Sequence, residues 1–250
     1  MYEWLDDFKA AVAFLTRLPM PHPQGPMPAN FVRAQRMFPV VGALIGASVG
    51  LICLGLRYVG VPDLAAAALA LGFSAILTGA LHEDGLADVA DGFGGGRHRA
   101  GKLEIMRDSR LGTYGALILL VSFAAKLSAL AATPDGYVVP VLIAAHALGR
   151  GILPWMSLKL PYARDDGLAR NAGQQDVVTA TIAIVLAVIL ALLSLSWSNA
   201  LLSALLACMS GLGMAWLAQR QIGGQTGDVL GGAEQVAETA ILVLLAARLG

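Results

Sequence analysis

The sequence predicts an all-α fold: a polytopic membrane helix bundle of about seven transmembrane helices, preceded by an amphipathic N-terminal helix. Three observations predict it. Hydrophobic residues make up 57% of the 250-residue chain, charged residues only 14%, and mean hydropathy is +0.69. A water-soluble domain is normally about 25% charged and could not cover its surface with so few charges. The apolar residues fall into runs near the roughly 20 residues that cross a bilayer. The long polar segments separate alternate runs only, as they do when a chain weaves back and forth with its polar mass on one side. The same composition excludes a disordered chain, a disulfide scaffold and a collagen-like repeat. Seventeen basic residues balance 17 acidic ones, so the charge gives no footprint for nucleic acid.

The elements follow in order. Trp4, Leu5, Phe8, Val12 and Leu15 recur at helical spacing, with Lys9 and Arg17 nearby. They predict a helix that either lies in the membrane interface or caps the bundle. Asp6 and Asp7 precede the short apolar stretch and no small-residue cleavage site follows, so it does not read as a secretory signal. Seven spans are predicted, at 37–59, 62–81, 113–132, 137–158, 177–197, 199–218 and 235–249. The last is short and carries Glu238. Gly42, Gly46 and Gly50 of the first span repeat every four residues, which marks a face for close helix packing. Tight turns at 132–136 and 197–199 join their neighbours as antiparallel hairpins. Cys53 and Cys208 sit inside apolar runs and read as small buried hydrophobes. The whole chain, 1–250, reads as one integral membrane domain. It has an N-terminal segment at 1–36, an acidic and Gly-rich segment at 82–112, and a second acidic segment at 219–240.

Charge placement orients the spans. Lys9, Arg17, Arg33, Arg36, Arg97, Arg99, Lys102, Arg107, Arg110, Lys159, Arg164, Arg170 and Arg220 all fall on the N-terminal side of a seven-span chain. Only Arg57 and Arg248 fall on the other, and Lys126 and Arg150 lie within spans. The positive-inside rule makes the basic side cytoplasmic. The three long polar segments are on that side, so the chemistry is expected to face the cytoplasm from the inner membrane.

The segment after the second span reads LHEDGLADVADGFGGGRHRAGKLEIMRDSRLGTYG. Asp84, Asp88 and Asp91 are spaced i, i+4, i+7, which aligns three carboxylates on one helical stripe. Clustered anions repel, and a divalent cation resolves the repulsion. Hard oxygen donors select Mg²⁺, Mn²⁺ or Ca²⁺ over zinc, and Mg²⁺ typically combines one or two carboxylates with substrate phosphates. A solvated acidic helix end is the plainer alternative, but it gives no reason for the alignment. Glu83 lies off the stripe by about one residue's rotation. His82 can serve as a base, a ligand or a hydrogen-bonded residue at a helix edge. The run Gly92–Gly96, followed by Arg97, Arg99 and Lys102, can cradle phosphate oxygens or be a plain flexible loop. Arg107, Asp108 and Arg110 form a phosphate clamp or an interfacial ion-pair group.

Charges inside spans are costly and usually face a cavity or a partner. Lys126 is therefore expected to pair with a carboxylate or bind substrate phosphate, and His146 and Arg150 stand one turn apart. Within 163–176, Arg164, Asp165, Asp166, Arg170 and Asn171 can contact substrate or form an ordinary loop. In QIGGQTGDVLGGAEQVAETA, Asp228 is followed by Glu234 and Glu238 at i, i+4. Two acidic sets on one side predict one shared site, with room for two metal ions.

With HEDGLADVADGFGGG, MRDSRLGTYG, the later GGQTGDVLGG and an N-terminal FLTRLP, the chain resembles the cobalamin synthase family, the adenosylcobinamide-GDP ribazoletransferases. The resemblance covers essentially the whole chain. It implies a Mg²⁺-dependent membrane enzyme of the last steps of vitamin B12 assembly, joining adenosylcobinamide-GDP to α-ribazole or its 5′-phosphate with release of GMP. Under that reading Asp84, Asp88 and Asp91 hold metal, with Glu83 a further candidate ligand. Asp228, with Glu234 or Glu238, binds a second metal or takes the hydroxyl proton, for which His82 is a further candidate. Arg97, Arg99, Lys102, Arg107, Arg110 and Lys126 bind phosphates. The expected partners are these small molecules and membrane lipid, and the oligomeric state is left open. Two other functions compete: a CDP-alcohol phosphotransferase-like membrane enzyme, which also uses spaced aspartates, and a cation transporter relaying through Lys126, Glu238 and Arg150.

Overall fold

In the computed structural model, residues 2–20, 27–164, 173 and 175–250 are described. Among them the regular structure is helical, with a single isolated parallel bridge between Tyr162 and Gln225. The helices are α1 (Tyr2–Leu15), α2 (Met27–Ala34), α3 (Phe38–Tyr58), α4 (Asp63–Thr78), α5 (Leu81–Gly95) and α6 (Arg99–Ile105). They continue as α7 (Thr113–Ala132), α8 (Asp135–Gly151), α9 (Leu153–Lys159), α10 (Val177–Ser194), α11 (Trp197–Ile222) and α12 (Gly227–Leu249). Six units are long and apolar enough to cross a membrane: α3, α7, α8 with α9, α10, α11 and α12. α4 and α5, which meet at 90°, are apolar and long enough only when taken together as one bent unit, which would bring the crossings to seven. The predicted membrane bundle with an N-terminal helix is therefore the observed fold.

α1 caps the bundle and also keeps an outer face. Val12 and Leu15 are buried in the core, while Trp4 and Leu5 are exposed. Buried Asp7 anchors the helix, accepting from Arg33 Nε at 3.0 Å and pairing with Arg36 Nη2 at 2.6 Å. The glycine stripe of α3 packs against α8, as its spacing predicts. A Cβ on Gly42 or Gly46 would collide with the backbone carbonyls of His146 or Leu142, and one on Gly50 would stand 2.9 Å from Val139 Cα. At the end of the bundle away from α5, Arg57 gathers the carbonyl oxygens of Leu130 and Thr133 and the Asp135 carboxylate, fastening α3 to the α7–α8 turn.

Two boundaries differ from the sequence expectation. The second span is 16 residues long, because Gly79 and Ala80 both adopt left-handed backbone and turn the chain. α5 then continues as a helix at 90° to α4 instead of leaving as a loop. The last span begins at Gly227, not near 235. Gly223, at φ +76°, closes α11, and the Thr226 hydroxyl caps α12 by accepting from Val229 N at 3.2 Å. Asp228, Glu234 and Gln235 thus lie inside a helix. The sequence hides this because Glu234 and Gln235 are matched by Arg150 and Lys126 on other helices and Asp228 by Arg164, pairings that hydropathy does not register.

Candidate active site

The acidic residues meet through close backbone packing. α5 crosses the first turns of α12 at two glycines: a Cβ on Gly85 would stand 2.9 Å from Asp228 O and 3.3 Å from Gly231 Cα. This crossing sets Asp84 and Asp88 beside Asp228, although more than 130 residues separate them in the chain. Asp84 is exposed and Asp88 half-buried. Burial, then the negative charges of Asp84, Asp228 and Asp91, push the Asp88 carboxyl up to about 7. A second tether brings up a cation. Gln225 donates from Nε2 to Ser157 O at 2.9 Å and Leu160 O at 2.8 Å, and Ala163 N donates to Gln225 O at 2.9 Å. The segment so held places Arg164 Nη2 at 3.4 Å from Asp228 Oδ2, an oxygen that also accepts from the Thr226 hydroxyl at 3.1 Å. Asp84, His82, Arg164 and Asp228 open onto one cavity of about 170 Å³.

The third aspartate of the stripe is differently employed. Asp91 is buried, and its carboxylate accepts from Gly112 N at 2.7 Å and Gly115 N at 2.9 Å, fixing the start of α7 to α5. This is N-terminal capping of a helix by a carboxylate, favoured by the free N–H groups and the helix dipole. Glu83 faces the other way and lines a separate cavity of about 540 Å³ with Lys126, Gln235 and Glu238.

Of the second acidic set, Asp228 joins Asp84 and Asp88, whereas the two glutamates stand apart from them. Glu234 and Glu238 lie deeper in the bundle, each 2% exposed or less. Glu234 pairs with Arg150 and accepts from Gln235 Nε2 at 2.9 Å. Glu238 pairs with Lys126 at 2.8 Å and lies 3.0 Å from His146 Nδ1. His146, Glu234 and Glu238 are near enough together to hold a metal ion. However, Lys126 and Arg150 already balance the two carboxylates, so the cluster carries no net negative charge to attract one. Lys126 donates to Gln235 and Glu238, so it has the carboxylate partner that is one of the two expectations for it. His82 joins the two sites: its Nδ1 stands 3.5 Å from Glu234 and 3.4 Å from Arg150, while the residue lines the acidic cavity.

The Gly-rich run and its basic neighbours also differ from expectation. Residues 92–95 continue α5. Their glycines admit neighbours: Met106 packs on Gly92, Tyr114 on Gly94, and Lys102 on Gly96. A helical turn filled in this way is not an open phosphate loop. Arg99 donates to Ala163 O at 2.8 Å and Lys102 to the Gln221 side chain, so both tie α6 to neighbouring segments. Arg110 pairs with Asp108 at 2.6 Å on the surface, and Arg97 and Arg107 are exposed. None of the five lines the acidic cavity among the described residues; Arg164 does. Asp165, Asp166, Arg170 and Asn171 lie outside the described residues.

Similarity to known proteins agrees with this geometry. The family model described as cobalamin-5-phosphate synthase matches residues 7–246. A protein of Bradyrhizobium diazoefficiens named adenosylcobinamide-GDP ribazoletransferase is 44% identical over 242 residues, covering 96% of this chain and 93% of the relative. Relatives of the same name from Sinorhizobium medicae and Rhizobium etli are 43% and 44% identical, covering 98% and 97% of this chain and 97% of each relative. No solved structure matches. With the match extending through both acidic motifs and nearly end to end, the chain belongs to the cobalamin-5-phosphate synthase family.

Proposed function

We propose that this chain joins adenosylcobinamide-GDP to α-ribazole, or to its 5′-phosphate, and releases GMP, with Mg²⁺ bound at Asp84, Asp88 and Asp228. The observation that carries the reading is the opening of Asp84 and Asp228 onto one cavity, with Asp88 near enough to feel both charges, in a chain whose relatives are named for the reaction. The donor set fits a hard divalent cation. Three carboxylates share the site, and their mutual repulsion is what a cation relieves. When bound, Mg²⁺ would neutralise diphosphate oxygens and the charge that develops on the departing phosphate.

The protein's own groups then have separate roles. An acceptor hydroxyl forms a new O–P bond at the phosphorus attached to the corrinoid side, and the bond from that phosphorus to the GMP oxygen breaks. Asp228, held by Thr226 and Arg164, takes the hydroxyl proton. Arg164, projecting onto the same cavity, binds a phosphate oxygen. His82, its Nδ1 turned toward Glu234, presents its other ring nitrogen as an alternative proton acceptor. Asp91 keeps α5 and α7 in register behind the site. The excess of basic residues at the end of the bundle carrying α5 supports a site facing the cytoplasm from the inner membrane.

The test is direct. Purified protein in detergent, given Mg²⁺ and both substrates, should release GMP in step with corrinoid product. Chelation should stop the reaction, and restored Mg²⁺ should restart it. Product formation that is indifferent to chelator would remove the metal from this account. Turnover of a CDP-alcohol substrate in its place would assign the chain another reaction.

A further inference from the structure

The acidic cavity has a second wall that the phosphoryl-transfer chemistry does not use. Phe14 from α1, Phe31 from α2 and Phe38 from α3 line it. Phe14 and Phe38 stack with ring planes 5° apart and centroids at 5.7 Å, and Phe31 stands edge-on to Phe14 at 4.6 Å. Phe38 is buried, whereas Phe14 and Phe31 keep part of their surface open. Gln35 lies on the same wall at 6% exposure and brings a side-chain amide to the cavity lining.

We propose that Phe14, Phe31, Phe38 and Gln35 form the subsite for a planar heteroaromatic base, held a short reach from Asp84 and Asp228. The inference rests on the reaction proposed above and specifies where one substrate's ring lies. Aromatic walls bind flat rings in offset or edge-to-face contact, and an amide beside them reads the ring's nitrogen or oxygen edge. The size agrees: about 170 Å³ is comparable with the roughly 150 Å³ of a cavity known to take a benzene ring, and far too small for a corrin macrocycle. Two bases enter the reaction, that of the acceptor nucleoside and the guanine of the nucleotide. In the acceptor, one ribose joins the base to the reacting hydroxyl. In the nucleotide, a ribose and a further phosphate intervene before the reacting phosphorus. The shorter tether suits a wall that shares a single cavity with the carboxylates, so the structure assigns the subsite to the acceptor's base.

The experiment compares wild type with Phe31→Ala and Gln35→Met, the second preserving side-chain length in case the first destabilises α2. The KM for α-ribazole should rise about 10- to 100-fold in Phe31→Ala, the usual scale for losing one ring-on-base contact, while kcat at saturating acceptor holds. The KM for adenosylcobinamide-GDP should stay unchanged. If that KM rises instead, the subsite belongs to guanine and the assignment to the acceptor is overturned. If both variants fold and neither KM moves, the subsite itself is overturned. Equilibrium dialysis of α-ribazole and of GMP against the three proteins reads the subsite without turnover. Wild-type protein that binds α-ribazole but releases no GMP would therefore count against the proposed reaction alone. Equal α-ribazole binding by wild type and both variants would count against the subsite alone.

Discussion

Gly85 lies so close to Asp228 that a methyl group on it would stand 2.9 Å from the Asp228 carbonyl oxygen and 3.1 Å from its Cα. Both near atoms belong to backbone, so the larger residue cannot be accommodated by rotating a side chain. Gly85→Ala should push α5 off α12 and separate Asp84 and Asp88 from Asp228. We expect the rate to fall about 100-fold, the scale of an ångström's misplacement of reacting groups. Unfolding in detergent should shift by about 1–3 kcal/mol. Unaltered turnover in a folded Gly85→Ala protein would mean that this crossing does not set the site.

Two aspartates on one helical stripe should behave oppositely. Asp88→Asn removes a charge from a crowded group, so metal-free protein should unfold no earlier than wild type, while the Mg²⁺ needed for half-maximal rate rises steeply. Asp91→Asn weakens two hydrogen bonds to the start of α7, and should lower stability by about 1–2 kcal/mol. Its Mg²⁺ titration should shift little. Thermal unfolding and metal titration, run on both variants, read the difference. A shared response would put both residues in one role.

The buried ion cluster predicts strong coupling. Lys126→Met leaves Glu238 charged in the bundle interior with a partner removed, and should destabilise by about 3–5 kcal/mol. Adding Glu238→Gln should restore most of that loss. A double-mutant cycle that showed simple additivity would refute the pairing as an energetic unit.

Glycines of similar sequence context should divide by what lies opposite. Gly46→Ala drives a methyl group into the Leu142 carbonyl and should spread α3 from α8, with a cost of about 1–3 kcal/mol. Gly72 in α4 has open space where its Cβ would be, so Gly72→Ala should be neutral or stabilising by up to about 1 kcal/mol. Chemical-denaturant unfolding of the two variants in the same detergent distinguishes them.

Much of the fold was legible because the bilayer imposes it. Runs of apolar residues mark spans, the charge count sorts their ends, and the Gly42–Gly46–Gly50 spacing announces the α3–α8 contact. The site was legible in part. Helical spacing aligned Asp84 with Asp88, and the later Gly-rich motif pointed to Asp228. What one dimension concealed was which partner each charge takes. Asp91 has the same spacing as its neighbours but is consumed by backbone N–H groups of α7. Glu234 and Glu238 share a motif with Asp228 but meet Arg150 and Lys126 deeper in the bundle. Gln35, Phe31 and Phe38 carry no chemical signature in sequence and become notable only by facing the carboxylates across one cavity. A ring or an amide is informative through what surrounds it, and their surroundings come from segments far apart in the chain.

The brevity of α4 bears on the lipid around it. Sixteen residues of helix extend about 24 Å, against a hydrocarbon thickness of roughly 30 Å, whereas the 26 residues of α11 extend about 39 Å. A helix this short, if it crosses the bilayer, is met by local thinning of the bilayer or by flanking residues that reach to the interface. Where the bilayer thins around α4, α5 and its carboxylates would lie lower than the ends of the longer helices. The acyl-chain length of the surrounding lipid then becomes a variable of the enzyme's environment as real as ionic strength.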